Sequence, residues 1–378
     1  LYVLALTELW ERFGYYTLTT VFTLYLIDVL KIRDAQAYLL FGAFTAFAYL
    51  MPVVGGIIAD RVFGHGRAIV LGAAMMSAGY LILALGSTAT MYLALGVLVV
   101  GNGLFKANVS ALLGHFFEDQ DTRRASAFTI FYMGINIGGL IAPLVTGFLA
   151  QSALFKSWLV AWGFDPALSW HWGFGAAGVG MSLGLAVLAL RGRHLAEAGR
   201  PPAIAATTWG AALLVLVGTI IVMAVTMLSD RPGLEWLRGL FLVVPIAVIA
   251  WFAAKGDLDS KRIAAVFVFF IAAMVFWAIF EQAGLTIALF ADQLTARTLA
   301  GVTFPSAWFQ SLNPLFVILL APIFAWAWLR LGKRQPSSPM KFVFGLFFLG
   351  LSFLLMVPAA MLTAEGRVSP LWLIGLFF

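Results

Sequence analysis

The chain has 378 residues, of which 62% are hydrophobic and only 11% charged, with a mean hydropathy of +0.99. Soluble domains carry about 25% charged residues, so this composition excludes an ordinary soluble protein, and the repeated apolar runs of about 20 residues read as membrane-spanning helices. The net charge of +6 lies on basic residues in short loops between those runs, which is no nucleic-acid signal, and the absence of cysteine leaves the redox compartment unread.

The alternating ten-residue segments of a membrane β-barrel are not seen. Spans are predicted at 1–27, 37–60, 67–86, 91–114, 125–150 and 171–190, then at 205–228 and 236–254, then at 263–290, 306–330 and 341–363, with a fragment from 369. Leu1 and Phe378 both fall inside apolar runs, with no initiating Met and no cleavable signal peptide, so natural sequence is expected beyond both ends. Fourteen basic residues fall on one side of this arrangement and seven on the other. The positive-inside rule makes the richer side cytoplasmic and places the N-terminus there.

The first span carries Glu8, Glu11, Arg12, Tyr15, Tyr16 and Thr19. At helical spacing these fall on one face, giving a polar stripe on an apolar rod. Ionised groups at membrane depth are costly and mark a cavity, a partner or a path, so the stripe is expected to line a transport route. After the second span, Gly55, Gly56 and Asp60 precede the loop Arg61-Val-Phe-Gly-His-Gly-Arg67. The glycines permit close helix approach. The loop is either a tight cytoplasmic turn or a latch in which Asp60 and the arginines pair across helix ends. The pattern Gly-Gly-Ile-Ile-Ala-Asp-Arg resembles a loop signature of the major facilitator superfamily, which has two six-helix halves.

Lys106 stands midway along the fourth span with apolar residues for two turns on either side. A lysine at that depth needs a counter-charge, and the carboxylates of the first span are the candidates. A pairing that changes with protonation or substrate would make a coupling element. Asn136, in the glycine-rich fifth span, suits either a neighbouring helix or a substrate. Residues 205–254 form two apolar segments without a mid-span ionisable residue and read as a peripheral inserted hairpin. Glu281 follows Phe276-Trp277 inside the next span and is a candidate proton carrier. Asn313 precedes Pro314, where a kink is expected to free a backbone carbonyl. His65, His115, His171 and His194 read as solvated loop residues, and no metal cluster is visible.

Five segments together carry a more specific resemblance. Glu8-Leu-Trp-Glu11-Arg12-Phe13-Gly-Tyr15-Tyr16 resembles the first-helix signature of the proton-dependent oligopeptide transporters. Gly103-Leu-Phe-Lys106-Ala-Asn108, Phe131-Tyr132 to Asn136, Phe276-Trp277 to Glu281-Gln282, and Trp308-Phe-Gln to Asn313-Pro314 resemble later signatures, in order, over nearly the whole chain. The inserted hairpin resembles that of bacterial members. The resemblance implies an all-α major facilitator fold: an N-terminal six-helix bundle at 1–190, the hairpin at 205–254, and a C-terminal bundle at 263–378 that is incomplete by two helices. It implies import of di- and tripeptides with protons across the inner membrane by alternating access, with no cofactor beyond the proton. Glu8, Glu11, Arg12, Lys106 and Glu281 would couple proton movement to binding. Tyr16, Tyr49, Lys106, Asn136, Trp277 and Asn313 would hold the peptide, Lys106 near its carboxylate. Thr19 departs from the family, many of whose members have an arginine there that pairs with the acid matched by Glu281. A family glutamate in the tenth core helix would fall beyond Phe378.

The alternative is a transporter of the same fold for another small solute, an anion or a drug-like compound. An enzyme would need a nucleophile with a base, or a metal cluster, at one depth, and neither is seen. A passive channel would need a continuous polar pore.

Overall fold

The computed structural model describes residues 1–116, 123–192, 260–299 and 301–378, with the single helical positions 210 and 218. The predicted hairpin at 205–254 otherwise lies outside the described residues, as does His194. The architecture is all-α. Among the described residues, eight helical stretches are long and apolar enough to cross a membrane. The first helix, α1 (Tyr2–Leu24), has the length as well but carries Glu8, Glu11 and Arg12.

The N-terminal half comprises α1, α2 (Asp34–Ile58), α3 (His65–Leu83), α4 (Thr88–His115), α5 (Arg123–Gln151), α6 (Ala153–Ala161) and α7 (Ser169–Arg191). Helix α1 packs against α5 and α7, while α4 packs against α2 and α3. One large apolar cluster runs through them, with Phe22, Phe41, Tyr80, Phe105 and Phe174 fully enclosed. The small residues set the spacing. A Cβ on Gly55 would collide with the Gly103 carbonyl, so α2 and α4 touch backbone to backbone. Gly138 of α5 meets the Leu9 carbonyl of α1 in the same way, which draws α5 tight against the charged turn of α1. Gly64, at φ 73°, turns the chain from α2 into α3. The short α6, capped by the Ser152 hydroxyl, interrupts what the sequence reads as a plain connection between the fifth and sixth spans.

The C-terminal half comprises α8 (Ser260–Phe280), the single turn α9 (Thr286–Leu289), α10 (Leu312–Leu331), α11 (Ser338–Leu362) and α12 (Leu371–Phe377). The predicted span 263–290 is not one helix. It passes through a 3₁₀ turn at Glu281–Gly284, an irregular Leu285 at φ −113° and ψ −103°, and a π turn at Phe290–Leu294. The span predicted at 306–330 opens with a 3₁₀ segment, Ser306–Ser311, so Pro314 sits in the first α-helical turn and the proline inside the helix is Pro322. A proline so near a helix start has few backbone bonds to break. Between these elements a two-stranded antiparallel ribbon pairs Thr298 with Thr303 and Leu299 with Val302.

The hydrogen bonds that join the halves among the described residues cluster at the end where α1 finishes. Thr23 Oγ1 donates to the Gly284 carbonyl at 2.7 Å, Trp308 Nε1 to the Leu144 carbonyl at 3.1 Å, and Ser311 Oγ to the Leu140 carbonyl at 2.8 Å. Gln151, the last residue of α5, donates from Nε2 to Ser306 Oγ at 2.8 Å and accepts from the Ala307 N–H at 3.0 Å. Ser306 Oγ donates to Asp292 Oδ1 at 2.8 Å, and Asp292 is paired with Arg297 at 3.1 Å.

Candidate substrate cavity and its charged backing

A cavity of about 330 Å³ lies between the halves. Helix α1 contributes Tyr15, Tyr16, Thr19 and Thr20, α2 contributes Phe41 and Tyr49, and α5 contributes Tyr132 and Asn136. From the other half come Trp277, Phe280, Glu281, Gln310, Asn313 and side chains of α11 and α12. The helix break is what places Glu281 there. Because the α-helix ends at Phe280, the chain turns at Glu281–Gly284 against α1 instead of running past it. Two side chains satisfy carbonyls of that turn: Thr23 bonds Gly284, and Gln310 Nε2 donates to Ala283.

Five of the six residues expected to hold substrate line this cavity: Tyr16, Tyr49, Asn136, Trp277 and Asn313. Asn136 Nδ2 donates to the Tyr132 carbonyl of its own helix at 2.9 Å. The sixth, Lys106, is not part of the lining. It sits behind the wall, with Nζ 4.7 Å from the centre of the Tyr49 ring and 5.7 Å from that of Tyr15. No carboxylate lies within ion-pair distance of Lys106 among the described residues. The expected pairing with the acids of α1 is therefore not made directly in this state.

Glu8, Glu11 and Arg12 also stand behind the cavity, almost wholly buried between α1 and its neighbours. Arg12 donates from Nε and a terminal nitrogen to both oxygens of Glu11. Its contact with Glu8 Oε1 is looser, at 3.7 Å, and Glu8 Oε2 has no hydrogen-bond partner among the described residues. The Arg12 guanidinium also lies 4.6 Å over the Tyr15 ring. Tyr15 thus carries both Arg12 and Lys106 against its ring and also lines the cavity, so that with Tyr49 it forms a tyrosine layer between two cations and the space where a ligand would sit.

Among the described residues, Glu281 is the charged residue on the cavity lining. Thr19 shares the cavity and directs its hydroxyl to the Tyr15 carbonyl at 3.1 Å. Tyr132 and Gln310 also line the cavity without having been singled out. Both lie inside segments read as signatures, Tyr132 one turn before Asn136 and Gln310 one turn before Asn313. Phe41, Leu349 and Phe353 belong to plainly apolar runs that carry no such signal.

At the opposite end, His65 is partly buried. Its Nδ1 lies 2.8 Å from Asn108 Oδ1 and its Nε2 3.4 Å from Asp60 Oδ1. This corrects the reading of His65 as a free loop residue. Asp60 thus has His65 beside it, and among the described residues it makes no ion pair with Arg61 or Arg67, so the expected pairing with the arginines is not formed.

The two packed helical halves, the cavity at their meeting face and the buried ion set behind it define a transporter of the major facilitator fold. The chain matches the POT family (PTR2) over residues 66–375. It is 39% identical to the uncharacterized transporter YclF of Bacillus subtilis, over 99% of this chain and 76% of that one. It is 34% identical to a di-/tripeptide transporter of Lactococcus lactis subsp. cremoris, over 98% and 77% respectively. A crystal structure of a peptide transporter POT in complex with alafosfalin superposes with a TM-score of 0.85 at 36% identity, covering 100% of this chain and 77% of that one. The chain belongs to the POT family. It is a multi-pass membrane transporter and not an enzyme.

Proposed function

We propose that the protein is a proton-coupled symporter that imports di- and tripeptides across the cell inner membrane, with its N-terminus cytoplasmic. The observation that carries this reading is the layered site. An aromatic and amide-lined cavity between two halves is backed by a buried Glu8–Glu11–Arg12 set and by Lys106. A cavity of about 330 Å³ suits a small ligand more than a protein segment. A peptide's main chain offers donors and acceptors at fixed spacing, which Asn136, Asn313 and Gln310 can meet. Its side chains vary, and the rings of Tyr16, Tyr49, Tyr132 and Trp277 accept varied apolar groups.

In this reading Lys106 takes the peptide carboxylate. Glu8, Glu11 and Arg12 hold the proton in exchange for their mutual pairing, and Glu281 completes the coupling set from the other half. The bonds at the end of α1 close one face of the cavity. With the N-terminus cytoplasmic, that face is the outer one. Rocking of one half against the other then exposes the same cavity to each side in turn. The relative named a di-/tripeptide transporter supports the substrate class.

The test is uptake of labelled dialanine into proteoliposomes with and without an inward proton gradient. Gradient-dependent uptake, competed by other dipeptides and not by free alanine, is expected. Lys106→Ala and Glu8→Gln should each abolish the gradient-driven component, and retained uptake in both would sink the assignment. A folded, complete protein that moves no peptide under either condition points to another small solute.

A further inference from the structure

The short helix α6 (Ala153–Ala161) joins the spans α5 and α7 at the end of the bundle where α1 finishes. Its inner stripe is Phe155 and Leu159, both buried. Phe155 is the centre of a ring cluster. It meets Phe148 of α5 at 5.8 Å, Trp158 at 6.4 Å, Trp162 at 6.3 Å and Trp172 of α7 at 6.1 Å. Leu154, Trp158 and Trp162 recur at four-residue spacing and so share the flank beside that stripe. They are 53%, 41% and 58% exposed. Lys156 stands on the opposite flank. Helix α6 therefore holds an aromatic and apolar flank open at a span end.

This flank continues a surface that faces lipid. On α7, Trp172, Val179, Leu183 and Leu190 fall on one face at helical spacing, and all are exposed. That stripe reaches α6 through the contact of Trp172 with Phe155. The tryptophans carry a second sign. Among the described residues, the indole N–H groups of Trp158, Trp162 and Trp172 make no hydrogen bond within the chain. A buried indole finds a protein partner, and one deep among acyl chains has none to find. At headgroup depth the ring lies in the apolar layer while its N–H reaches water or a phosphate ester. We propose that α6 is an interfacial anchor. It lies along the membrane surface, with Leu154, Trp158 and Trp162 set among phospholipid headgroups and the first acyl carbons, and Lys156 on the wet side. Gln151, which bonds Ser306 and Ala307 of the other half, immediately precedes the Ser152 cap of α6. The anchor thus fixes the depth at which the N-terminal half presents that contact. The inference rests on the membrane class of the protein and holds whatever solute it carries.

The experiment is spin-label accessibility in the full-length protein, reconstituted into vesicles of phosphatidylethanolamine and phosphatidylglycerol. The sequence has no cysteine, so Leu154→Cys, Val160→Cys and Val179→Cys each carry one nitroxide. Val160 lies one turn on from Lys156, and Val179 lies on the lipid face of α7; both are exposed. The label of Leu154→Cys is expected to collide more with oxygen, which dissolves in acyl chains, than with a water-soluble nickel chelate, at a depth of about 5–10 Å within the headgroup boundary. Val179→Cys should read deeper, and Val160→Cys should favour the chelate. Replacing Trp158 and Trp162 together by serine should raise chelate collisions in Leu154→Cys several-fold. Replacing both by tyrosine, which keeps a ring with a polar edge, should leave them unchanged. A flank in water, with the chelate favoured in Leu154→Cys, overturns the anchor. So does a helix sunk among the acyl chains, with oxygen favoured in Val160→Cys as well. Shielding of the Leu154→Cys label from both reagents overturns it too, since that marks a protein cover such as a second copy. Equal readings for the serine and tyrosine pairs would overturn the part given to the tryptophans.

Discussion

Arg12 gives two hydrogen bonds to Glu11 and only a loose contact to Glu8, although both acids lie on its own helix face. The two acids should therefore separate in stability. Glu11→Gln leaves the Arg12 charge buried with no close partner, and breaking a buried pair in this way costs about 3–5 kcal/mol. Glu8→Gln removes a loosely paired charge, 3.7 Å from Arg12, from a site where Glu8 Oε2 already lacks a partner among the described residues, and should cost roughly 1 kcal/mol or less, the scale of a single modest polar contact. Thermal unfolding in detergent is expected to show a large fall in midpoint for Glu11→Gln and a small one for Glu8→Gln. Equal falls would mean that Arg12 does not discriminate between them. The stripe itself was legible in the sequence, because 3.6-residue periodicity alone puts positions 8, 11, 12, 15, 16 and 19 on one side. The division of labour within it was not, since that depends on rotamers. For the same reason Lys106 could be recognised as unusual by its depth, while its seat on Tyr49 and Tyr15 was visible only once α2 and α4 were packed together.

Elements that look continuous in the sequence are broken where they meet the cavity. The run from 263 to 290 has no proline, and Gly284 is its only weak point, yet the α-helix stops at Phe280. Hydropathy and period report whether a segment is apolar and helical on average. They do not report where a neighbouring helix offers a hydroxyl for a freed carbonyl. Here Thr23 does so for Gly284, from 261 residues away in the chain. Thr23→Val keeps the shape and removes the donor, leaving a buried carbonyl unsatisfied at a cost of about 1–3 kcal/mol. Hydrogen exchange should show faster exchange of the amides of 281–289 in this variant, with protection in α3 and α4 unchanged. Uniform loss of protection would place the bond outside the local support of the turn. The glycine-rich motifs fared differently. Their expected role in close packing is met at Gly55 against Gly103 and at Gly138 against Leu9, because a missing side chain is a property the sequence states outright.

Across the whole molecule, the end where α1 finishes is closed by bonds from α1 and α5 to the segments 281–292 and 306–311. The order of the spans and the family were legible in the chain; which end of the cavity is shut is a property of how the halves meet, and no local pattern encodes it. Gln151 is the hinge of that closure, since one amide engages Ser306 and the Ala307 backbone at once and so reaches the Asp292–Arg297 pair through Ser306. Gln151→Leu keeps the bulk and removes both ends of the clasp. Two neutral hydrogen bonds at about 0.5–1.5 kcal/mol each are enough to move a two-state equilibrium by roughly one order of magnitude. The chain has no cysteine, so a single Thr19→Cys in the cavity lining reports alone. An impermeant maleimide applied from the face at which α1 ends should label this cysteine slowly with Gln151 present and several-fold faster with Gln151→Leu. Labelling from the opposite face should fall correspondingly, since a population shift takes from one state what it gives to the other. Acceleration from both faces would indicate general loosening of the bundle, and no acceleration from the face at which α1 ends would show that the apolar packing of the halves holds the closure without Gln151.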